Sequence, residues 1–351
     1  MINQLHLIKQ NEPIKSALQQ LDLLGQDGVI FVVSAENRLL GSVTDGDIRR
    51  ALLKGVSIEE EIETAMNSTP KSLQKKSIDV LRLRDLRKNN FSIIPIVDEE
   101  NQIIELLNFR LRKSVLPLDV VVMAGGKGER LKPLTDNVPK PLLQINHKPI
   151  LEYVIEHFDY YGMKNIWVTA NYHAEQLNQF INSKNENGYP GIKILNENQF
   201  LGTIGSVSLI SEFSEQAILV CNADLLTNID LESFYLDFIE SEADLSVISI
   251  PYKMDVPYAV MDVKNGMITN LKEKPTYTYH SNGGYYLMKR SCVDLIPANT
   301  VYMATDLINE LLKNNKKIRA FEHHGYWLDI GSHSDYKRAQ EDAKNKLFEW
   351  I

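Results

Sequence analysis

The sequence is poor in several features that would each define a class of protein. It holds two cysteines in 351 residues, Cys221 and Cys292. Neither stands in a metal or redox spacing, and both sit beside apolar runs. A disulfide framework is therefore excluded, and free thiols in a reducing cytosol are expected. No apolar run approaches the ~20 residues that a bilayer-spanning helix requires. The opening MINQLHLIKQ has no signal-peptide core, so a cytoplasmic location is expected. Basic charge is not in excess either. Lys and Arg number 38 against 46 Asp and Glu, a net charge of −8, which gives no support to nucleic-acid binding. Residues 1–115 balance 16 basic against 16 acidic side chains, so the whole acidic excess belongs to the remainder. The rest of the composition, 44% hydrophobic and 24% charged, suits a soluble globular chain of one large domain or two.

The most informative stretch is Leu118 to Leu142, LDVVVMAGGKGERLKPLTDNVPKPL. Val120 to Met123 are apolar, as suits a strand buried on both faces of a parallel sheet. The run breaks into Ala124, Gly125, Gly126, Lys127 and Gly128. Glycines let backbone approach a ligand, and consecutive free N–H groups cradle phosphate oxygens. Arg130, Lys132 and Lys140 add cations, while Pro133, Pro139 and Pro141 disfavour a regular helix. The segment reads as a strand followed by an ordered cationic loop shaped for an anion. The two standard glycine motifs do not fit. A dinucleotide fingerprint needs a third glycine where Leu131 stands, and a P-loop needs Ser or Thr where Gly128 follows Gly126-Lys127. A nicotinamide dehydrogenase also needs an acidic residue closing the next strand, which instead ends Thr169-Ala170-Asn171.

The whole string resembles the signature of the sugar-1-phosphate nucleotidyltransferases, G-G-x-G-x-R-L-x-P-L-T followed by P-K-P. In that resemblance Ala124, Gly125, Gly126 and Gly128 lie along a triphosphate, Arg130 holds its β- and γ-phosphates, and Lys140 reaches the transferring α-phosphate or the sugar phosphate. Leu201-Gly202-Thr203-Ile204-Gly205-Ser206 matches the family's L-G-T-A-G-[SA], with Ile204 in place of Ala; it implies that Gly202 and Thr203 lie close to the base. Glu197, just before it, either binds the base or is exposed. Asp224 in Asn222-Ala223-Asp224 and Asp329 in Trp327-Leu328-Asp329-Ile330-Gly331 match the family's metal positions. Paired carboxylates suit Mg²⁺, which takes few protein oxygens and keeps phosphate and water ligands. Glu273-Lys274-Pro275 matches E-K-P, which implies that Glu273 binds sugar hydroxyls and Lys274 the sugar phosphate. Asn282 and Gly283 resemble the stretch lining the sugar pocket.

Ahead of this region, residues 1–115 repeat one pattern with a period of about 64, from Leu39-Leu40 to Ile103-Ile104. In the first copy Ile14, Ala17, Leu18 and Leu21 mark a helix, followed by strands Val29 to Val33 and Leu39 to Val43 and a helix Ile48 to Leu53. In the second, Ile78, Leu81 and Leu86 mark the helix and Ile93 to Val97 and Ile103 to Leu107 the strands. The repeat resembles a tandem pair of CBS domains. That implies an adenine nucleotide as regulatory ligand, with Asp47 on the ribose and Thr44 on the phosphate. The second copy has neither counterpart. The alternative is a pair that only packs, dimerises or spaces the next domain. CBS pairs often dimerise, which implies a homo-oligomer.

The expected fold class is α/β: a Rossmann-like, mixed but mostly parallel sheet in a catalytic domain over 118–351, preceded by an α+β tandem CBS module over 1–115. Its strands are expected at Ile166 to Ala170, Ile192 to Leu195, Ala217 to Cys221, Leu245 to Ile250 and Tyr285 to Met288. A hairpin is expected about Asn265-Gly266. The implied reaction joins a nucleoside triphosphate and a sugar-1-phosphate, giving a nucleotide sugar and pyrophosphate with Mg²⁺. A CBS pair ahead of this enzyme resembles proteins of sialic-acid-like sugar pathways, which points to GTP with glucosamine-1-phosphate or a related hexose phosphate. UTP, dTTP or CTP are alternatives, as is a non-catalytic nucleotide-sensing scaffold. No membrane or nucleic-acid partner is expected.

Overall fold

The computed structural model describes residues 4–348 except 187 and 190. The chain falls into two compact units, Met1–Val115 and Leu116–Ile351.

In the first unit, β1 (Leu7–Lys9), β2 (Val29–Val33) and β3 (Leu39–Thr44) form one sheet with α1 (Ile14–Leu24) and α2 (Asp45–Leu53). The second copy supplies β4 (Leu73–Gln74), α3 (Val80–Lys88), β5 (Ile93–Val97) and β6 (Ile103–Asn108). Helix α1 buries Ile14, Ala17 and Leu21, as their spacing predicts. In α3 the buried stripe is Val80, Leu83 and Leu86, whereas Leu81 is exposed. The helix starts only after Asp79, whose carboxylate accepts from the Arg82 amide, and this phase turns Leu81 outward. Among the described residues no helix follows β6. The repeat is visible as a pairing of its two turns. Asn37 and Asn101 both hold left-handed backbone, at φ 63° and 62°. The Leu39 amide donates to the Asn101 carbonyl at 2.9 Å and the Ile103 amide to the Asn37 carbonyl at 3.3 Å. Phe31, Val33, Leu39, Ile93, Val97 and Ile103 form a core shared by the copies.

The second unit begins with β7 (Asp119–Met123) and a short ladder of β8 (Gln144–Ile145) with β9 (Lys148–Pro149). Next come α4 (Ile150–Tyr160), β10 (Asn165–Ala170), α5 (Ala174–Glu186), β11 (Ile192–Asn196), β12 (Ala217–Asn222), β13 (Leu225–Thr227) and α6 (Leu231–Ser241). The chain continues through β14 (Leu245–Asp255), β15 (Val260–Lys264), β16 (Met267–Lys272), β17 (Thr276–Lys289), α7 (Ala304–Lys313), β18 (Ile318–Glu322), β19 (Trp327–Asp329) and α8 (His333–Lys344). Seven strands form one sheet in the order β11-β10-β7-β12-β17-β14-β18, parallel except where β17 runs against both neighbours. From β7 the chain moves outward to β10 and β11, then returns to place β12 on the other side of β7. Strand order therefore reverses between β7 and β12, and open α/β sheets bind ligands at the carboxyl ends of such a pair. Val120, Val121 and Val122 are fully buried, as a central parallel strand requires. Both cysteines are free and buried; burial pushes both thiols up, Cys292 to about 11, which disfavours the thiolate at neutral pH.

Candidate active site

Beyond β7 the chain enters the glycine loop at the switch point. The Ala124 amide donates to the Thr169 hydroxyl at the end of β10, at 3.1 Å, which fixes where the loop leaves the sheet. Gly128 has φ +63°, and a Cβ there would lie 3.0 Å from Thr135 and 3.1 Å from Lys140, so glycine is needed on both counts. Its carbonyl accepts from the Thr135 hydroxyl at 2.9 Å. Gly126, by contrast, faces open space. A cavity of about 360 Å³ lies over this loop, lined by Gly126, Gly128, Arg130, Lys140, Asp224 and Gly331 among others.

The two aspartates are brought together by strand register. In the antiparallel pair β13–β19, Leu225 lies opposite Asp329 and Thr227 opposite Trp327. Asp224, one residue before β13, thus stands beside the end of β19. Lys140 arrives from the Pro139-Lys140-Pro141 turn and is only 9% exposed. Its ammonium donates to Asp224 Oδ2 and lies 3.8 Å from Asp329 Oδ1. A lysine buried this far must be paired, and the two carboxylates pair it. Burial, then the neighbouring Asp224, raises the Asp329 carboxyl above the usual carboxylate range, with Lys140 and Arg130 opposing. Asp224 Oδ1 and Asp329 Oδ1 are buried without a hydrogen-bond partner. Asp224 Oδ1, and Asp329 Oδ1 with the Lys140 ammonium 3.8 Å away, fit a hard divalent cation that completes its shell with phosphate and water. Among the described residues no group of three or more His, Cys, Asp or Glu forms a closed metal cage. The Arg130 guanidinium packs over Gly331, 3.4 Å from where a Cβ would stand, at the rim of the same cavity.

Glu197 is 7% exposed, which settles its burial against the exposed alternative. Both of its carboxylate oxygens lie 3.0 Å from the position of a Cβ on Gly125, and Oε2 has no partner. A side chain at Gly125 would crowd this carboxylate and force it to shift.

The other expected residues are placed differently. Gly202 has φ +84°, and a Cβ there would stand 2.4 Å from the Tyr302 carbonyl. The 300–304 segment by itself requires glycine here. The Thr203 hydroxyl accepts from the Ala304 amide at 2.9 Å, at the start of α7. Asn282 spends its side chain locally, donating to the Tyr286 hydroxyl at 2.9 Å and accepting from the Gly284 amide at 2.9 Å. The Gly283 carbonyl accepts from the Trp327 indole at 2.9 Å, which ties this stretch to the strand bearing Asp329. Glu273 and Lys274 are exposed and are not among the residues lining the cavity. In the first unit Thr44 and Asp47 meet each other in a capping box at the start of α2. Asp47 Oδ2 accepts from the Thr44 amide and hydroxyl at 2.9 and 2.6 Å, and Oδ1 from Arg50 at 2.5 Å. Thr169 and Tyr302 were not singled out by the sequence. A buried threonine in an otherwise apolar strand was the available signal for the first.

The model of the CBS domain matches residues 1–54, and the model of the nucleotidyl transferase family matches residues 119–346. The bifunctional protein GlmU of Methanocaldococcus jannaschii is 29% identical over 66% of this chain, which spans 55% of that protein. The D-glycero-alpha-D-manno-heptose 1-phosphate guanylyltransferase of Aneurinibacillus thermoaerophilus is 26% identical over 66% of this chain and is covered in full. Among solved structures, HddC from Yersinia pseudotuberculosis complexed with GMP-PN superimposes with a TM-score of 0.51 at 25% identity, over 64% of this chain and 99% of that one. A loop of the matched type at the switch point, with the sheet and paired aspartates behind it, places the assignment on structure as well as sequence: the chain belongs to the nucleotidyl transferase family.

Proposed function

We propose that the protein transfers a nucleoside monophosphate from a nucleoside triphosphate to a sugar-1-phosphate and releases pyrophosphate, with GTP and glucosamine-1-phosphate or a related hexose phosphate as substrates. One observation carries the reading: Lys140 and Asp224 line the cavity over the glycine loop, where the strand order reverses, and Asp329 lies within 3.8 Å of the Lys140 ammonium. An oxygen of the sugar phosphate attacks the α-phosphorus, the bond from that phosphorus to the bridging oxygen breaks, and pyrophosphate leaves. The attacking group is already an anion, so the site needs no base. Its task is to hold two polyanions in line and offset their charge. Asp224 and Asp329 would hold Mg²⁺, which when bound supplies positive charge to the phosphates. Lys140, which pairs with Asp224 and lines the cavity, would offset the charge of the transferring phosphate. Arg130 presents a planar fork suited to the β- and γ-phosphates, and the open space at Gly126 leaves room for them.

Glu197 supports guanine. Its buried carboxylate offers acceptors only. The Watson–Crick edge of guanine presents N1–H and N2–H₂ side by side, whereas uracil and thymine present one N–H between two carbonyl oxygens. A carboxylate pairs with the first and faces the second oxygen to oxygen. The guanylyltransferase relative and the GMP-PN complex of HddC point the same way.

For the first unit we propose regulation by an adenine nucleotide at Thr44 and Asp47, in which Arg50 yields its hold on Asp47. The test of the catalytic reading is pyrophosphate release by the full chain with Mg²⁺, each of GTP, UTP, dTTP and CTP, and a panel of sugar-1-phosphates. Release is expected to be greatest with GTP and an amino-hexose phosphate. Nucleotide binding without release for any pair would make the chain a scaffold.

A further inference from the structure

Strand β10 stops at Ala170, and Asn171-Tyr172-His173 carries the chain into α5. This bend touches both halves of the site. On one side it meets the segment between the glycine loop and Lys140. The Tyr172 hydroxyl lies 3.3 Å from the Thr135 carbonyl and 3.2 Å from that of Asp136, and donates to them. His173 Nε2 bonds the Asp136 carbonyl at 3.1 Å, and the Gln176 carboxamide donates to the Asn137 carbonyl at 2.8 Å. Three successive carbonyls are thus met by three side chains from 36–39 residues further along the chain. The Tyr172 and His173 rings pack together with centroids 4.0 Å apart. His173 holds left-handed backbone at φ 51°, a conformation that costs energy in a residue with a side chain. Thr135 passes the contact on. Its hydroxyl donates to the Gly128 carbonyl at 2.9 Å, and its methyl and the Lys140 Cβ crowd the same side of Gly128. Thr135 is fully buried, so a shift of its backbone moves Gly128 and Lys140 with it.

On the other side the bend meets Glu197. The Asn171 carboxamide donates to the Glu197 carbonyl at 3.0 Å, and the Glu197 amide donates to the Ala170 carbonyl at 2.8 Å. Two consecutive residues therefore hold both polar groups of the Glu197 main chain. We propose that Asn171, Tyr172, His173 and Gln176 are positioning residues that register the two halves of the site on one bend. Asn171 sets Glu197 against the base, while Tyr172, His173 and Gln176 set Gly128 and Lys140 against the phosphates. The inference rests on the proposed function for what Glu197 and Lys140 contact. Between β7 and β8 the chain forms only the short turns 129–131 and 140–142, so outside anchors must fix it. The bend is rooted in the sheet through Ala170, which is fully buried in β10 between β7 and β11. Thr169, one residue earlier, already fixes the start of the glycine loop at Ala124. A site referred in this way to a rigid strand keeps its reacting groups in line.

Two measurements test this on the full chain. The first is hydrogen exchange without substrate. The amides of Leu134, Asp136 and Leu142 each donate within their own segment, so they report its opening. Tyr172→Phe removes the hydroxyl and keeps the ring, and exchange at these amides should rise several-fold while β7 and β10 stay as in the parent. Asn171→Ala should do the same at the Glu197 amide. Parental exchange at these amides in either variant overturns the proposal. The second measurement is pyrophosphate release with GTP and with UTP. Tyr172→Phe should lower kcat by roughly 5–50-fold, between the loss of one ordinary hydrogen bond and the displacement of a reacting group. Its GTP-to-UTP ratio of kcat/KM should match the parent's. Gln176→Leu should act in the same direction. Asn171→Ala should instead narrow that ratio by roughly 5–10-fold. A bend that only stabilises the fold would lower the melting temperature and both kinetic measures alike in all three variants. That pattern overturns the proposal, as do parental kinetics in Tyr172→Phe. Should the parent release no pyrophosphate with any pair, the proposed function fails, and exchange alone decides whether the bend anchors both segments.

Discussion

Asp224 and Asp329 are joined by backbone as well as by Lys140: the Ile330 amide donates to the Asp224 carbonyl oxygen at 3.1 Å, just beyond the point where Leu225 faces Asp329. The side-chain oxygens that remain unpartnered are therefore held by a register and not by a flexible loop. A site held this way keeps its geometry when one carboxylate is replaced by an amide, so substitutions there report on chemistry.

Arg130→Ala should raise KM for the triphosphate by about 10–100-fold, the cost of losing a charge-assisted bond to phosphate, and should leave the melting temperature unchanged because the side chain is exposed. Steady-state kinetics with varied triphosphate checks this. Unchanged KM would remove Arg130 from the phosphate site.

Glu197→Gln should narrow the preference for GTP over UTP by about 10–100-fold, since one good two-point contact discriminates by about 1–3 kcal/mol. The carboxamide offers one acceptor and one donor and can meet uracil as well as guanine. Ratios of kcat/KM for the two triphosphates are the readout. A ratio equal to that of the parent would assign the base contact elsewhere.

Two glycines of the matched motifs should separate cleanly. Gly202→Ala is expected to destabilise the fold by about 2–4 kcal/mol, because positive φ and overpacking against the Tyr302 carbonyl act together. Gly126→Ala meets nothing within 4 Å and should change stability by less than about 0.5 kcal/mol while lowering turnover, since the added methyl points to space the triphosphate would use. Denaturant melts of both variants decide it.

Asp47→Ala removes the capping box of α2 and should cost about 1 kcal/mol of the first unit's stability. If Asp47 also holds a ribose, the same substitution should abolish adenine-nucleotide binding in calorimetry. A parent chain that binds no adenine nucleotide would leave Asp47 as a cap alone.

The sequence carried the architecture where periodicity and composition are strong. Val120 to Met123 and Ala217 to Cys221 read as buried parallel strands because they are apolar without alternation, and the Asn265-Gly266 turn is encoded locally. Helices α6 and α7 and the edge strand β18 were not anticipated. Strand β18 is mostly exposed and shows no apolar run. The continuation of β14 past Pro251 also escaped notice, since nothing buried marks it. Likewise the resemblance named the aspartates, but their adjacency is a register between strands about a hundred residues apart, which no local pattern encodes. Gly202 shows the limit most plainly: the motif marks it, while the steric reason for glycine there lies in Tyr302, a partner visible only after folding.

In the proposed reaction Asp224 and Asp329 hold a divalent ion against the phosphates that Lys140 and Arg130 neutralise. Its most direct test is a Mg²⁺ titration of pyrophosphate release by the parent, Asp224→Asn and Asp329→Asn chains, each shown to be folded and to bind GTP. Chelation should abolish activity in the parent and Mg²⁺ restore it, with a loss of at least about 100-fold in each variant. Turnover in the parent that is indifferent to Mg²⁺, or near-parental rates in either variant, would contradict it.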